Sequence, residues 1–400
     1  MTRTSDTPSS PTGSSPSDAV PSDRPCVSVD LDALARNYAR LQAASGRAET
    51  AAVVKADAYG LGCAPVVRQL MSEGCRTFFV ANMDEGAAAR ALAPAATIYV
   101  LNGLPPDGEA LMDASRLSPV LNTADQIKAW ARARRARPTA RPGALFVDTG
   151  MNRLGLRGAD LKAALATSEA AADDIDLVVS HFACANTPRH PMNAEQIARF
   201  ADALATARTR FPNARGSLAN SAGVFLGADA CFDLTRPGIA LYGGAPQEDG
   251  AIVMEPVVTL AAPIVQVRAL QPGDRVGYGA DHVVERPLLA ATVALGYGVG
   301  FLRAGGGRGY GVLAGRRAAI MGRVSMDLMT VDVTAARDAA RPGALVEFLG
   351  AHAALDDQAD AAGTIGYELL VRLGPRCARR YVTAAPTSAT EPSAGAGAGA

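Results

Sequence analysis

At 400 residues, the chain is long enough for two ordinary domains or for one barrel with an appended domain. Its 39 Lys and Arg residues balance its 39 Asp and Glu residues, so no net charge attracts nucleic acid or an anionic membrane surface. The six cysteines form no CxxC pair and the four histidines form no HExxH pattern, which argues against a metal site. Scattered cysteines are typical of reduced thiols in a cytoplasmic protein, and no apolar run has the length of a membrane-spanning helix.

The chain begins with a low-complexity segment. Residues 1–25 are rich in Ser, Pro, Thr and Asp and contain no apolar core of signal-peptide length. Such a segment buries too little apolar surface to offset the entropy of ordering, so we predict that it is disordered. The strand-like sequence CVSVDL follows, and we expect residues 26–36 to join a β domain that forms later in the chain.

A regular alternation runs from Thr50 to Arg236, within a predicted barrel domain of residues 37–244. Short apolar or β-branched segments are each followed by an Ala-, Leu- and Arg-rich stretch with helical spacing. We predict eight strands, near 51–55, 77–81, 97–101, 118–121, 144–148, 176–181, 215–219 and 232–236. Eight βα units favour a closed (β/α)8 barrel of the TIM type, since an open doubly wound sheet rarely has so many regular units.

The sequence pattern changes after Gly244. Residues 245–384 contain strand-like segments such as PVVTLAAPIVQV and RAAIMGRVSMDLMTVDV, which Gly and Pro turns separate and which have almost no helical periodicity. We predict a second, mostly β-strand domain here. The final segment, 385–400, is rich in Ala and Gly and has no side chains that pack, so we predict that it is disordered.

The carboxyl ends of the predicted barrel strands carry a group of polar side chains. Lys55 is the first of them, because it ends a short apolar run that we expect to be a buried strand. A charged amine there is costly unless it is paired, neutralised or used covalently. Reactive groups of parallel barrels gather at these strand ends. The rule selects Lys55, Tyr59, Asp148, Arg153, His181, Asn220, Ser221, Arg236 and Gly238.

Loops after the seventh and eighth strands usually form the phosphate seat of such barrels. Ser221 offers a hydroxyl there, and Gly238 lets the backbone approach closely. A phosphate seat beside a buried lysine suits pyridoxal 5′-phosphate (PLP), whose aldehyde forms a Schiff base with a lysine amine. Arg236 would pair with the ring nitrogen and, because arginine keeps its proton, would leave that nitrogen largely unprotonated. The ring then becomes a weaker electron sink, which favours return of the proton over transamination.

Several motifs resemble those of one family in order and spacing. They are AVVKADAYGLG, DTGMNRLG, SHFACA, ANSAG, RPGIALYGG, VGYGA, GRVSMDLMTVDV and GTIGYELLVRLGPR. From about Cys26 to Tyr381 the chain is similar to the alanine racemases. This resemblance implies a PLP-dependent isomerase that interconverts L-alanine and D-alanine and supplies D-alanine for peptidoglycan. It also implies a homodimer in which the β domain of each subunit covers the barrel mouth of the other.

The resemblance further implies roles for individual residues. Lys55 holds the cofactor and acts as the base on one face of the substrate, Tyr278 is the base on the other face, and His181 lies near the ring and hydrogen-bonds Tyr278. The cofactor-binding residues that it implies beyond Lys55, His181 and Arg236 are Tyr59, Asn220, Ser221, Gly238, Ile239 and Tyr367. The substrate-binding residues that it implies are Arg153 and Met326 on the carboxylate side and Asp327 and Tyr297 at the entrance.

The chemistry of inversion also requires two acid–base groups, independently of the family resemblance. Inverting a stereocentre requires removal of a proton from one face and delivery of a proton to the other. A phenol with the ordinary pKa of about 10 is a poor base at neutral pH, so Tyr278 needs cationic help. A chain from Tyr278 through His181 to Arg236 would supply it.

Two positions depart from the family pattern. The family often has a carbamylated lysine where this chain has Phe146, so Arg153 must be held by a ring contact, a bound anion or another carboxylate. In the simpler alternative, Phe146 packs the barrel interior and Arg153 finds its partner elsewhere. The family's GYADG reads GYGVG, which puts Val299 in place of an acidic residue near Tyr297.

Other functions remain open from the sequence. A serine or broad-spectrum amino-acid racemase would use the same chemistry in a slightly different pocket. A PLP-dependent decarboxylase shares the barrel-plus-β plan but needs no base at Tyr278. A PLP-carrying barrel would lack the β domain, and the glycine run at 305–311 neither follows a strand nor opens a helix, which disfavours nucleotide binding.

Overall fold

The computed structural model describes residues 23–137, 139–167 and 169–383. The two segments predicted to be disordered, 1–25 and 385–400, lie outside this part of the chain except for residues 23–25. Within it, the predicted parallel barrel and the predicted β-rich domain are both present.

The first element of the described part of the chain is strand β1 (Cys26–Asp30), and helix α1 (Leu31–Ser45) follows it directly. Asp30 ends the strand because its carboxylate accepts hydrogen bonds from the backbone N–H groups of Asp32 and Ala33, which caps the helix. The strand therefore covers only the first five residues of the segment 26–36.

The barrel strands lie close to their predicted positions, because buried parallel strands appear in the sequence as short continuous apolar runs. They are β2 (Glu49–Thr50), β3 (Ala52–Val53), β4 (Thr77–Val80), β5 (Thr97–Val100), β6 (Ser118–Leu121), β7 (Gly143–Phe146), β8 (Ile175–Val179), β9 (Arg215–Ser217) and β10 (Leu234–Thr235). Strands β3 to β9 form a seven-stranded parallel sheet in chain order.

Strand β10 closes the ring. It pairs in parallel with β2, which continues into β3 after one residue. On its other side, the backbone N–H groups of Asp233 and Arg236 donate to the carbonyl oxygens of Gly216 and Ala219. The closed ring brings the carboxyl ends of all its strands to one mouth, where sites of such barrels form.

Helices alternate with these strands. They are α2 (Cys63–Ser72), α3 (Met83–Leu92), α4 (Glu109–Ala114), α5 (Ala124–Ala136), α6 (Gly158–Ala166), α7 (Pro191–Arg208) and α8 (Ala228–Cys231). Side-chain caps fix the starts of α3 and α5, since Asn82 accepts from the N–H of Glu85 and Thr123 accepts from the N–H of Gln126.

The second domain is mostly β, with two short helices, α9 (Leu355–Ala361) and α10 (Gly366–Arg372). Its strands are β11 (Val258–Leu270), β12 (Arg275–Val276), β13 (His282–Val283), β14 (Leu288–Val293), β15 (Tyr310–Leu313), β16 (Arg316–Met321), β17 (Met329–Asp332), β18 (Leu345–Leu349) and β19 (Ala378–Val382). The main sheet has the order β14-β17-β16-β15-β18-β11-β1-β19, and β11 also pairs with β14, which closes a smaller barrel.

Strand β1 joins the two ends of the chain. It pairs antiparallel with β11 and parallel with β19, so the large barrel is inserted between two parts of the β domain. One hydrophobic cluster runs through both domains, from Phe79 in barrel strand β4 to Phe348 in β18. No helix in the described part of the chain is both long enough and apolar enough to cross a membrane.

Candidate active site

A cavity of about 460 Å³ opens at the carboxyl ends of the barrel strands. Ten of the predicted site residues line it, namely Lys55, Tyr59, Arg153, His181, Asn220, Ser221, Arg236, Gly238, Ile239 and Tyr367. All but Tyr367, which belongs to helix α10, follow strands of the large barrel. Five other predicted residues do not line this cavity in the same chain, namely Asp148, Tyr278, Tyr297, Met326 and Asp327.

Lys55 stands before a backbone turn of the left-handed kind. Ala56, Asp57, Ala58 and Tyr59 have φ angles of 53°, 53°, 53° and 58°. The left-handed helical conformation costs an L-residue about 1–2 kcal/mol, and strain of this kind persists only where neighbouring groups fix the backbone. It is typical of functional sites, and here it lies directly beside the lysine of the cavity.

Glu85 fixes the start of this turn and was not among the predicted residues. Its carboxylate accepts hydrogen bonds from the backbone N–H groups of Ala56 at 2.9 Å and Ala81 at 2.7 Å. The spacing from Asn82 to Glu85 is that of a capping box, which marks a helix start in the sequence. The hydrogen bond from the Ala56 N–H joins helix α3 to the turn after Lys55, and no sequence pattern predicts it.

The Lys55 amine is electrostatically activated. Burial lowers its pKa, the positive charge of Arg153 lowers it further, and the Glu85 carboxylate opposes both effects. A lowered pKa increases the fraction of neutral amine at physiological pH. The neutral amine is the form that attacks a carbonyl carbon.

Hydroxyl groups gather at one end of the cavity. The Ser221 side chain is 3% exposed, and its Oγ accepts hydrogen bonds from the N–H groups of Gly238 at 2.8 Å and Ala240 at 3.2 Å. A Cβ atom added to Gly238 would lie 2.1 Å from the Tyr59 hydroxyl oxygen, so only glycine fits beside that hydroxyl. The ring of Tyr367 lies 5.9 Å from the ring of Tyr59. Together these groups form a set of donors suited to an anion.

Arg236 is a buried cation with one unused donor. Its Nη1 donates to the carbonyl and hydroxyl oxygens of Ser217, and its Nη2 donates to the carbonyl oxygen of Ser180. Burial lowers its pKa to about 10, so it stays charged at neutral pH. None of the residues that the structure describes accepts a hydrogen bond from its Nε–H. Buried polar groups normally have a partner, so this N–H is available to a ligand in the cavity.

His181 carries its ring proton on the side away from Arg236. Burial, followed by the charges of Arg236, Arg153 and Lys55, lowers the pKa of His181 to about 3, so the ring is neutral. Arginine only donates, and its Nη2 lies 3.4 Å from Nδ1, which assigns the proton to Nε2 from the hydrogen-bond network. The neighbour of Nε2 is the amide nitrogen of Asn220 at 3.5 Å, which is also a donor. The Nε2–H therefore lacks an acceptor in the described chain.

The charge of the cavity is one-sided. Lys55, Arg153 and Arg236 contribute basic groups, and no carboxylate is among the described residues that line it. A buried positive field of this kind attracts an anionic ligand.

Arg153 has no supporting partner within the described chain. Asp148 shapes its loop by accepting from the N–H groups of Gly150 at 2.9 Å and Asn152 at 3.0 Å. Arg153 itself forms no ring contact, hydrogen bond or ion pair with the described residues. The Phe146 ring packs instead against Gly155, where an added Cβ would lie 2.4 Å away. Phe146 is therefore buried in the barrel, as in the simpler alternative, and no described residue supplies the ring contact or the carboxylate. How Arg153 is held stays a prediction.

The predicted residues of the β domain lie on neighbouring turns. The N–H of Tyr297 donates to the carbonyl oxygen of Ser325 at 3.0 Å, and the N–H of Gly298 donates to that of Met326 at 2.7 Å. Asp327 pairs with Arg376 at 2.7 Å. Tyr278 is 70% exposed and Met326 is 54% exposed. The hydrogen bond that the resemblance implies between Tyr278 and His181 does not form within one described chain.

Two further positions qualify the sequence analysis. Val299, which stands in place of the family's acidic residue, is buried, and its carbonyl oxygen accepts from the N–H of Gly374 at 3.1 Å. It belongs to the core and not to the surface of the entrance. Asn102 lines the cavity and was missed, although it lies two residues after β5 and the strand-end rule would have selected it.

Comparisons with known proteins agree with this geometry. The family model for the alanine racemase N-terminal domain matches residues 29–246, and the model for the C-terminal domain matches residues 257–381. An alanine racemase of Rhodospirillum rubrum is 49% identical over 362 residues, which cover 89% of this chain and 95% of that protein. A catabolic alanine racemase of Mesorhizobium japonicum is 44% identical over 360 residues, which cover 89% and 93%.

A solved structure extends the likeness to three dimensions. The crystal structure of the Bartonella henselae alanine racemase with covalently bound pyridoxal phosphate has a TM-score of 0.83 to this chain at 34% identity. The match covers 90% of this chain and 99% of that one. The family models cover both domains, and the chain belongs to the alanine racemase family.

Proposed function

We propose that this protein binds PLP at the barrel mouth and interconverts L-alanine and D-alanine. One observation carries the proposal: a single cavity joins a lysine of lowered pKa to a buried arginine whose Nε–H has no partner among the described residues. A lysine amine and a ring-nitrogen donor are the two groups that PLP requires at its opposite positions.

The rest of the cavity fits the cofactor. The Nε–H of Arg236 would donate to the ring nitrogen, and Lys55 would hold the cofactor through its amine. Asn220 and His181 would flank the ring. The phosphate would be held by Tyr59, Ser221, Gly238, Ile239 and Tyr367. When bound, PLP withdraws electrons from the α-carbon of an amino acid and so makes its α-proton removable.

The residues of the chain then provide acid–base chemistry on two faces. We propose Lys55 as the base on one face and Tyr278 as the base on the other, because inversion needs a proton donor and a proton acceptor on opposite sides. Arg153 is an exposed cation without a partner in the described chain, which suits it to the substrate carboxylate, with Met326 beside it. Tyr297 and Asp327 would form the entrance.

His181 would make Tyr278 an effective base. Its Nε2–H needs an acceptor, and a phenolate oxygen is one. Arg236 adds positive charge behind the imidazole, at 3.4 Å from Nδ1. Both effects favour the ionised form of a phenol that docks there.

We propose that Tyr278 reaches this position from a second copy of the chain. The β domain exposes the side chains of Tyr278, Tyr297, Met326 and Leu328, and Leu154 and Ile365 are also exposed. Tyr297, Met326 and Leu328 lie on neighbouring turns, and exposed apolar side chains that lie together indicate an interaction surface. A two-fold homodimer that places each β domain over the partner's barrel mouth would cover these side chains and complete two equal sites.

The proposed location is the cytoplasm, and the proposed role is the supply of D-alanine for peptidoglycan, as the family resemblance implies. All six cysteines are free thiols, which fits a reducing compartment.

We predict that the purified protein carries its cofactor on Lys55. The chain contains only three lysines, and the other two, Lys128 and Lys162, are exposed on helices α5 and α6. Borohydride reduction followed by peptide mass spectrometry should find the pyridoxyl group on the Lys55 peptide alone. The two other lysines report non-specific labelling, and a pyridoxyl group only on them would refute the assignment.

Activity is tested with a panel of L-amino acids in deuterated water. Alanine should lose its optical rotation and gain deuterium at the α-carbon without release of carbon dioxide. Carbon dioxide release would identify a decarboxylase, and faster inversion of serine than of alanine would identify the rival racemase.

Phe146 leads to a prediction about small ions. Phe146 forms no carbamate, so added bicarbonate should leave activity unchanged. If a bound anion occupies the space beside Arg153, the KM for alanine should depend on the chloride concentration. Such an anion holds the Arg153 guanidinium more loosely than a bidentate charged pair would. Gluconate at equal ionic strength controls for general screening. Activity that requires bicarbonate would contradict the role given to Phe146.

A further inference from the structure

The turn that carries Tyr278 is strained. It connects the short strands β12 and β13, and Gly277, Gly279 and Ala280 have φ angles of 77°, 82° and 54°. Ala280 is not glycine, so its positive φ is a conformation that an L-residue adopts only when other contacts hold it. The turn contains only one irregular 3-10 turn, Tyr278–Ala280, so contacts from outside it are needed to fix the direction of the Tyr278 side chain.

An ion pair packs against this turn. The guanidinium of Arg323, in the segment after β16, contacts the carboxylate of Asp281 at 2.5 Å. A Cβ atom added to Gly279 would lie 2.9 Å from the Asp281 carboxylate and 3.2 Å from the Arg323 guanidinium carbon. The pair therefore lies directly against the residue after Tyr278 and leaves no room for a side chain there.

Two more contacts tie the same turn down. The Arg275 guanidinium donates to the carbonyl oxygen of Ala280 at 3.0 Å, and the N–H of Ala280 donates to the carbonyl oxygen of Gly277 at 3.2 Å. On the other side, Gly322 packs so closely on Val276 that an added Cβ would lie 2.8 Å from its carbonyl oxygen. Residues 322–323 thus pack against the turn that carries Tyr278.

We propose that Arg323 and Asp281 are positioning residues that set the orientation of the Tyr278 hydroxyl for proton transfer on its face of the substrate. The inference rests on the proposed role of Tyr278 and adds the groups through which the fold controls it. Both side chains are about half exposed in the single chain, and exposed ion pairs contribute little to global stability. The pair should therefore matter for one proton transfer and hardly at all for folding.

The test is the variant Asp281→Asn, which keeps the side-chain size and removes the charge. The measurement is α-hydrogen exchange with deuterated solvent, started separately from L-alanine and from D-alanine. Exchange from the enantiomer that Tyr278 deprotonates should fall by about 10- to 100-fold, the scale that a displacement of about 1 Å costs. Exchange from the other enantiomer and the Tm should stay unchanged, and Arg323→Gln should behave in the same way.

Two further variants separate positioning from general damage. Arg286→Gln breaks another ion pair of the same domain, between the exposed Arg286 and the mostly buried Asp332 at 2.8 Å, and should leave exchange from both enantiomers unchanged. The exchanged pair Asp281→Arg with Arg323→Asp should recover part of the exchange that each single variant loses.

The outcomes distinguish this inference from the proposed function. Tyr278→Phe is measured in parallel, and if it causes no one-sided loss, the role of Tyr278 is wrong. If Tyr278→Phe is one-sided while Asp281→Asn spares both enantiomers, or lowers both equally, the positioning role is wrong.

Discussion

Replacing Tyr278 with phenylalanine should abolish α-hydrogen exchange from one enantiomer of alanine and leave exchange from the other largely intact. Phenylalanine keeps the ring and removes the hydroxyl, so only the proton transfer on that face is lost. Removal of a general acid–base group costs about 10²- to 10⁴-fold. Lys55 remains on the opposite face and continues to remove and return protons there.

Exchange is the informative measurement here, because net racemisation cannot be one-sided. The two enantiomers are equally stable in water, so kcat/KM must fall by the same factor in both directions. Deuterium incorporation without inversion reports each base separately. Tyr297→Phe is the matched control. Tyr297 lies at the proposed entrance, so loss of its hydroxyl should change α-hydrogen exchange from both enantiomers by the same factor. Equal loss of exchange from both enantiomers with Tyr278→Phe would contradict the assignment to opposite faces.

Mixing two inactive variants should restore activity. Homodimers of Lys55→Ala and of Tyr278→Ala should each be nearly inactive, because every site lacks one base. In a mixed dimer, the barrel of the Tyr278→Ala subunit meets the intact Tyr278 of the Lys55→Ala subunit, which gives one complete site. Random re-pairing makes half of the dimers mixed with one good site each, so about a quarter of the wild-type activity should return.

The control for this experiment combines two substitutions that both lie in the barrel cavity. Lys55→Ala mixed with Arg236→Ala should remain inactive, since both residues line the cavity of one barrel and no mixed dimer contains an intact set. If mixed dimers of the first pair form, as native mass spectrometry would show, and no activity returns, each site belongs to a single chain.

The barrel half of the site could be predicted from the sequence. Lys55 was identifiable because a charge directly after a buried apolar run needs a special reason. His181, Ser221 and Arg236 followed from the rule that reactive groups stand at the carboxyl ends of barrel strands. The strand positions could be predicted because fully buried parallel strands appear in a sequence as continuous apolar runs.

The β-domain half had no such local signal. Tyr278 and Met326 lie on exposed turns, where neither periodicity nor burial marks a residue, and only the resemblance to a family selected them. The support of Arg153 was also beyond the sequence, since the pattern showed that a lysine was missing at Phe146 but not that the ring packs on Gly155.

The left-handed turn at 56–59 is the clearest case in which tertiary structure overrides local preference. Ala and Asp in the segment Lys55–Tyr59 favour right-handed backbone, and no glycine marks a positive φ inside the turn. The conformation is fixed by distant groups such as the Glu85 carboxylate, so no window of sequence contains the information.

Some of these distant groups belong to the last part of the chain. Arg379 donates to the carbonyl oxygen of Gly60 at 2.9 Å, the Tyr381 hydroxyl donates to that of Leu61 at 2.9 Å, and Tyr367 packs near Tyr59. With four left-handed residues at about 1–2 kcal/mol each, the turn would relax wherever these contacts are absent. During synthesis, residues 367–381 leave the ribosome long after the barrel is complete. We therefore expect a nascent chain to gain its reactive lysine only when its final strand docks, which protects the unfinished protein from capturing free aldehydes.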